Sequence, residues 1–167
     1  MDEKILFKNL GFTLIELIVV FSVIAILSTI GIASFVNYSR SQSIQTSASN
    51  LTLILDLAKS RASSQVKPSQ CLGSLNGYQV DILSVTTYSL SVLCPEVHLI
   101  QTATLPDNGN IKFNLALGQT TTTSIFFPVI TSGVRGAGNI VLTGYNQSRW
   151  VCIDPSGIIK ILGSVCP

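Results

Sequence analysis

The stretch Gly11-Phe12-Thr13-Leu14-Ile15-Glu16-Leu17 opens an apolar run that continues to Val36, and Glu16 is the only ionisable side chain in that run. A helix of roughly two dozen residues, rising about 1.5 Å per residue, crosses a hydrocarbon core about 30 Å thick. We therefore predict that residues 12–36 form a transmembrane helix. The chain after Tyr38 is polar and rich in Ser and Thr, and its roughly 130 residues are the usual size of one domain. We expect one globular head anchored by one helix.

The short segment before the run distinguishes it from an ordinary signal peptide. This segment carries Lys4 and Lys8 together with Asp2 and Glu3, and no small-residue cleavage site follows the apolar run. An ordinary signal peptide has an apolar core of about 7 to 15 residues, and its cleavage site comes after that core. Here the charged segment is followed by Gly and then by a longer run. The two lysines also favour a cytoplasmic N terminus.

From Gly11 to Val20 the chain resembles the class III prepilin signal of type IV pilins and type II secretion pseudopilins. In that family a prepilin peptidase cuts after the glycine and methylates the new N terminus. The resemblance implies a leader peptide at 1–11, cleavage between Gly11 and Phe12, and N-methylation of Phe12. It also implies three kinds of partner: the prepilin peptidase, other pilin or pseudopilin subunits, and an inner-membrane assembly platform. The chain would cross the cytoplasmic (inner) membrane once, with the head in the periplasm or outside the cell.

Glu16 is the predicted assembly residue. A charged side chain inside a bilayer costs at least about 2.5 kcal/mol on insertion scales, so such a residue usually marks a pairing site. After processing, the nearest available cation would be the α-amino group of Phe12 on a neighbouring subunit, and a low-dielectric environment strengthens that attraction. The alternative is that Glu16 lies near the cytoplasmic interface and reaches water there.

Small side chains in the apolar run would let neighbouring helices approach closely. Major pilins commonly have a proline where this chain has Ala33. Gly31 loosens a helix by about 1 kcal/mol relative to Ala but removes no backbone donor, as proline would. We hypothesise less local melting during assembly, which favours a minor subunit over an abundant major pilin. The small residues are Ser22, Ala25, Ser28, Gly31 and Ala33.

Residues 37–67 are predicted to continue the helix into the head as an amphipathic segment. Apolar positions recur at spacings of three and four, which marks one helix face that packs on a sheet. The predicted end is Lys67-Pro68, because the residue before a proline is biased out of the helical region. The apolar positions are Ile44, Ala48, Leu51, Leu55, Ala58 and Ala62.

Residues 68–167 are predicted to form a β-rich globular head. Apolar and polar residues alternate with a period of two, which is typical of half-buried strands, and turn signals separate the runs. We therefore predict an α+β, pilin-like fold in which the long helix packs on an antiparallel sheet. The predicted strands are 78–82, 88–92, 111–115, 124–127, 139–143, 150–154 and 158–162, and the turn signals are 76–77, 106–109, 136–138 and 154–157.

Three segments resemble the soluble region of GspH/FimT-type minor pilins and pseudopilins. They are the small-basic run 57–62, the run 125–127 followed by Gly133, and the final strand-turn-strand around Asp154-Pro155-Ser156-Gly157. Some FimT-like proteins bind DNA through a basic Gly-Arg motif near the C terminus, where this chain reads Gly157-Ile158-Ile159-Lys160. Few phosphates could be neutralised, because the net charge is only +2. We do not expect DNA binding from the cations of this region, which are Arg135, Arg149 and Lys160.

The four cysteines are predicted to form disulfides. None forms a Cys-x-x-Cys pair and the chain has one His, so a tetrahedral metal site has little support. Disulfides are the default in an exported head. We favour pairing Cys71 with Cys94 and Cys152 with Cys166, since each bond encloses a short segment. The alternative is that all four are reduced, buried thiols.

No motif of an enzyme or a cofactor site stands out. Cys94 or Cys152 paired with His98 would lack a recognisable orienting group, and His98 lies in a predicted strand, Val97-His98-Leu99-Ile100. The glycines of 133–138 lack the strand-to-helix context of a phosphate loop.

The resemblance implies a prepilin-like structural subunit, a minor pilin or pseudopilin of a type IV pilus or a type II secretion pseudopilus. Two alternatives stay open. One is a major type IV pilin. The other is a membrane-anchored extracellular binding module that does not polymerise.

Overall fold

The computed structural model describes residues 11–107, 109–115, 123–131 and 133–167. The chain divides into two compact units, Met1–Ser39 and Arg40–Pro167. Most of the predicted leader, including both of its lysines, lies outside the described residues. Within them, one long helix precedes eight strands. The elements are α1 (Leu14–Ser63), β1 (Gly77–Ile82), β2 (Thr87–Leu93), β3 (Val97–Thr104), β4 (Lys112–Phe113), β5 (Ser124–Pro128), β6 (Gly138–Gly144), β7 (Gln147–Ile153) and β8 (Ile159–Leu162).

The apolar stripe of α1 that the sequence predicted is confirmed. Ile44, Ala48, Leu51, Leu55 and Ala58 are fully buried, and Ala62 is 2% exposed. Leu53 falls on the opposite side of the helix and is 65% exposed. The side chains of this stripe share one hydrophobic cluster with residues of the strands. Spacing alone therefore identified the helix face that builds the core of the head.

The helix ends at Ser63 rather than at Lys67. Gln65 adopts a positive φ of 51°, its N–H donates to the Ala62 carbonyl at 3.1 Å, and the Val66 N–H donates to the Arg61 carbonyl at 3.0 Å. These two bonds form a Schellman motif, which satisfies carbonyls that a helix end leaves unpaired. The motif stops the helix before the proline does.

The described residues of the head form two four-stranded sheets, and each strand pairing in them is antiparallel. The first sheet has the order β3-β2-β1-β5 and the second has the order β4-β6-β7-β8. The predicted α+β class, with a helix followed by an antiparallel head, is confirmed. The strands are divided between two sheets, four in each. Strand β4 has two residues, whereas the alternation predicted a strand of five.

The turn at 154–157 joins β7 to β8, as predicted. The Gly157 N–H donates to the Asp154 carbonyl at 2.9 Å, and Gly157 has a φ of 80°. Asp154 Oδ1 accepts from the Ser156 N–H at 2.7 Å and from the Ile158 N–H at 3.1 Å. The predicted turn at 76–77 is wrong, because Gly77 is the first residue of β1.

Two disulfides close the head. Cys71, before β1, is bonded to Cys94, after β2, and Cys152 in β7 is bonded to Cys166; the Cα atoms of each pair are 5.8 Å apart. The structure thus joins the two pairs that the sequence analysis favoured. Each closure contributes about 2–4 kcal/mol by restricting the unfolded chain.

Candidate processing and assembly site

The predicted cleavage junction is open to a partner. Phe12 is 82% exposed. A Cβ added at Gly11 would meet no atom within 4 Å, and Gly11 does not have the left-handed φ that favours glycine. Neither local packing nor backbone conformation therefore explains a glycine here.

Helix α1 begins immediately after the junction because Thr13 caps it. Thr13 Oγ1 accepts a hydrogen bond from the Glu16 N–H at 3.3 Å, and the Thr13 carbonyl accepts from the Leu17 N–H at 3.2 Å. A Thr followed three residues later by a Glu is the spacing of a capping box. Sequence reasoning missed Thr13, although this pattern was visible. The cap lies after the Gly11-Phe12 bond, so cleavage there would leave it in the mature chain.

Glu16 is exposed in the first turn of α1. A carboxylate in a first turn is favoured by the partial positive charge of the helix N terminus. Among residues 11–107, 109–115, 123–131 and 133–167, no group donates a hydrogen bond to this carboxylate. Its position leaves it accessible to a cation from outside the described chain.

The first half of α1 presents apolar side chains in every direction. Patches of this kind mark interaction surfaces, since soluble monomers rarely expose more than a few hundred Å² of contiguous apolar area. No helix of the described residues combines the length and the hydropathy needed to cross a bilayer. Between residues 12 and 36, the large apolar side chains with more than 60% exposure are Phe12, Leu14, Ile15, Phe21, Ile26, Leu27, Ile32 and Phe35.

Two serines of this half-helix, Ser22 and Ser28, make hydrogen bonds within it. Ser22 Oγ donates to the Val19 carbonyl and Ser28 Oγ donates to the Ile24 carbonyl, each at 2.7 Å. Such bonds to the preceding turn let a hydroxyl enter apolar surroundings without an unpaired donor. Both positions are therefore small and compatible with close packing against another helix.

A polar cluster fixes the start of the head segment of α1. Tyr145 Oη donates to Asp107 Oδ2 at 2.6 Å, and Ser43 Oγ donates to the same oxygen at 3.0 Å. The Arg40 guanidinium lies 5.3 Å from the centroid of the Tyr145 ring. The hydrogen bond to Asp107 raises the pKa of Tyr145 above its usual value. These contacts hold residues 40–43 against two loops of the head.

The cationic side chains that were considered for DNA binding lie in different surroundings. Arg149 Nε donates to Gln45 Oε1 at 2.8 Å, and the Arg135 guanidinium lies 5.7 Å from the centroid of the Phe126 ring. Lys160 lies on β8. Arg149 thus ties the second sheet to α1, and Arg135 packs beside the first sheet.

The structure also gives the positions of the residues that were considered as catalytic groups. His98 lies in β3, an edge strand of the first sheet. Cys94 and Cys152 are in disulfides, so neither has a thiol to pair with it. In the part of the chain that the structure describes, no group of three His, Cys, Asp or Glu side chains is arranged to hold a metal ion.

Comparison with known proteins assigns the N-terminal segment. The family description "Prokaryotic N-terminal methylation motif" matches residues 6–32, which include Gly11, Phe12 and Glu16. No curated protein and no solved structure matches the chain. A prepilin-type methylation motif followed by one long helix and an antiparallel head indicates a prepilin-like protein of the type IV pilin type.

Proposed function

We propose that this chain is a structural subunit, a minor pilin or pseudopilin, of a type IV pilus or a type II secretion pseudopilus. A prepilin peptidase cuts between Gly11 and Phe12 and methylates Phe12. The subunit waits in the cytoplasmic membrane through residues 12–36, and then assembles by packing α1 against the helices of other subunits. The observation that carries the proposal is the methylation motif at the start of a helix half that exposes apolar side chains on all sides.

The processed N terminus would need a counter-charge. Cleavage would create an ammonium group at Phe12, next to the Thr13 cap. The partial positive charge of a helix N terminus disfavours a cation at that place. A carboxylate from a neighbouring subunit would offset both charges, and Glu16 is the one acidic side chain available in the apolar run. Pairing of the Phe12 ammonium group of one subunit with the Glu16 carboxylate of the next therefore sets the order in which subunits join the filament.

The finer, GspH/FimT-like assignment is also part of this proposal, and in the structure the end of α1 contacts the last hairpin. Lys59 Nζ donates to the Gly157 carbonyl at 2.7 Å. Lys59 belongs to the small-basic run 57–62, and Gly157 belongs to the final strand-turn-strand. Two of the three segments that carry the resemblance thus meet in space.

A charge-matched pair of variants tests the assembly role in a host that makes the filament. Glu16→Gln removes the charge and keeps the size of the side chain. Glu96→Gln removes the same charge from an exposed site in the head. We expect Glu16→Gln to be processed but depleted at least tenfold from sheared filaments, and Glu96→Gln to enter them like the unmodified chain. Equal incorporation of both variants would refute the assembly role of Glu16.

Mass spectrometry of the N-terminal peptide tests processing independently. We expect N-methylated Phe12 as the first residue. Retention of Met1, or removal of residues 12–36, would refute the proposal and leave an unprocessed anchor or a secreted head. Subunit stoichiometry in purified filaments separates a minor subunit from a major pilin.

A further inference from the structure

The first sheet has one open edge, at β3. In the order β3-β2-β1-β5, β2 pairs with one side of β3, and no strand of the described residues pairs with its other side. Such an edge presents a row of backbone N–H and C=O groups that have no partner within the sheet. Strand β3 has eight residues and contains no Pro, Lys, Arg, Asp or Glu. It therefore offers another strand an uncharged edge for pairing.

The other three edges of the two sheets are protected. Beside β5, the Phe126 N–H donates to the Arg135 carbonyl and the Arg135 N–H donates to the Phe126 carbonyl, each at 2.9 Å. Strand β4 has two residues and includes Lys112, and β8 has four residues and includes Lys160. Covering segments, short strands and lysines are three means by which proteins prevent edges from pairing. Within the described chain β3 has none of these three, which marks its edge as an interaction surface.

Two residues of β3 present their backbone groups to the open edge. The Leu105 N–H donates to the Thr86 carbonyl at 2.7 Å, and the register of β2 with β3 continues from that pair. In an antiparallel pair, directly opposite residues are alternately hydrogen-bonded and not hydrogen-bonded to each other. The N–H and C=O groups of Thr104 and Thr102 therefore point away from β2. A shift in register earlier in β3 limits the regular stretch to residues 101–104.

We propose that two copies of this chain pair through this edge, β3 against β3, so that their first sheets join into one. The pairing is antiparallel, with Thr102 of one copy opposite Thr104 of the other and Ala103 on the two-fold axis. Each opposite pair of threonines exchanges two backbone hydrogen bonds, so the outward groups of both residues gain partners. The contact uses no residue of the leader or of 12–36, so it stands or falls separately from the proposed function.

Self-complementarity and charge favour a second copy as the occupant. An antiparallel pair of identical strands has two-fold symmetry, so one surface serves both partners. Thr102 and Thr104 are exposed, and Thr opposite Thr is a favourable cross-strand pair. No side chain of Val97–Thr104 carries a fixed charge that would repel the same strand of another copy. Because the paired stretch is short, we expect weak association, which covalent trapping detects.

Covalent trapping tests the pairing on the full chain in non-ionic detergent, with its native disulfides intact. Thr102→Cys and Thr104→Cys chains, one of which carries a size tag, are mixed in equal amounts and oxidised mildly. In the proposed register the two introduced thiols belong to residues whose Cα atoms are about 5.5 Å apart, within the range that a disulfide bridges. Identical positions are offset by two residues, about 7 Å along the strand. We expect at least tenfold more mixed dimer than either homodimer. A statistical mixture of the three dimers, or the absence of cross-linked dimer, overturns the proposal.

Two lysine substitutions test the edge itself. Ala103→Cys places identical thiols opposite each other on the two-fold axis, at a Cα separation of about 4.5 Å, so this chain should cross-link to itself. Adding Thr102→Lys puts a charge at the edge of each copy, and we expect at least tenfold less cross-linked dimer. Adding Ser124→Lys, at an exposed residue of β5 on the opposite edge of the same sheet, should leave the yield unchanged. Failure of Ala103→Cys to cross-link, or equal yields with the two lysines, overturns the proposal. Should Thr102→Lys lower the urea midpoint, the mixed trapping still decides the matter.

Discussion

Shortening a fully buried leucine of α1 should destabilise the head far more than shortening an exposed leucine two residues away. Leu55 is fully buried and Leu53 is 65% exposed on the same helix. Each change to Ala removes three carbons, and at about 0.8 kcal/mol per buried methylene the transfer contribution for Leu55 is about 2.4 kcal/mol. The cavity left behind raises the cost of such changes to about 2–5 kcal/mol. The same calculation for Leu53 gives about 0.8 kcal/mol, because only about a third of its surface is buried.

Urea denaturation of the full chain in non-ionic detergent measures both changes. Trp150 is the single tryptophan of the chain and is 8% exposed, so its fluorescence reports the opening of the second sheet. A slope of about 1–3 kcal/mol per molar urea converts a loss of about 3 kcal/mol into a midpoint shift of about 1–3 M. Leu53→Ala should shift the midpoint by well under half that amount. Equal shifts would refute the assignment of the buried face of α1.

Three further predictions concern single groups of the head. The hydrogen bond to Asp107 raises the pKa of Tyr145, so the contribution of this bond to stability is complete below the unfolded pKa of about 10 and is lost as the pH rises further. The urea midpoint of Tyr145→Phe should therefore fall less steeply with alkaline pH than the midpoint of the unmodified chain. Equal slopes for the two proteins would contradict this prediction. The Ser156 hydroxyl lowers the pKa of the Asp154 carboxyl, so the contribution of this contact to stability is present above pH 3.8 and is lost as the pH falls through the pKa of the folded state. Asp154→Asn should therefore lose less stability in acid than the unmodified chain. An unchanged acid profile would argue against the turn contact. A Cβ at Gly77 would collide with a carbonyl oxygen of β5, whereas a Cβ at Gly163 would meet nothing within 4 Å. Gly77→Ala should therefore lower the free energy of unfolding by about 1–3 kcal/mol, and Gly163→Ala should change it little. Thermal denaturation that shows the two variants equally stable would rule out the close approach of β5 to Gly77.

The helix and the individual strands were predictable because their signals are local. The spacing of the stripe from Ile44 to Ala62 depends only on the 3.6-residue period, and the alternation in β1 depends only on the two-residue period of a strand. Gly157 follows Asp-Pro-Ser in a sequence that presets a turn. Each of these features is contained within one continuous stretch of the sequence.

The features that were missed depend on residues far apart in the chain. The division of strands into two sheets depends on which strands pair across long separations, and Gly77 is needed because β5 approaches it closely. The helix stops early through Gln65, a residue type with no preference for positive φ comparable to that of glycine. None of these contacts has a local sequence signal.

The contrast between the two halves of α1 explains why assembly is the best-supported role. Between Ile44 and Ala62 the buried apolar residues occupy one stripe, and one packed layer covers a stripe. Between Phe12 and Phe35 exposed apolar residues occur on all sides of the helix, and a helix that is apolar all round is stable only when it is surrounded. In the proposed function, lipid would surround the helix of the stored subunit, and neighbouring helices would surround the helix of the assembled subunit. In that proposal Glu16 would distinguish the two environments, because lipid offers its carboxylate no cation and a processed neighbour would offer one.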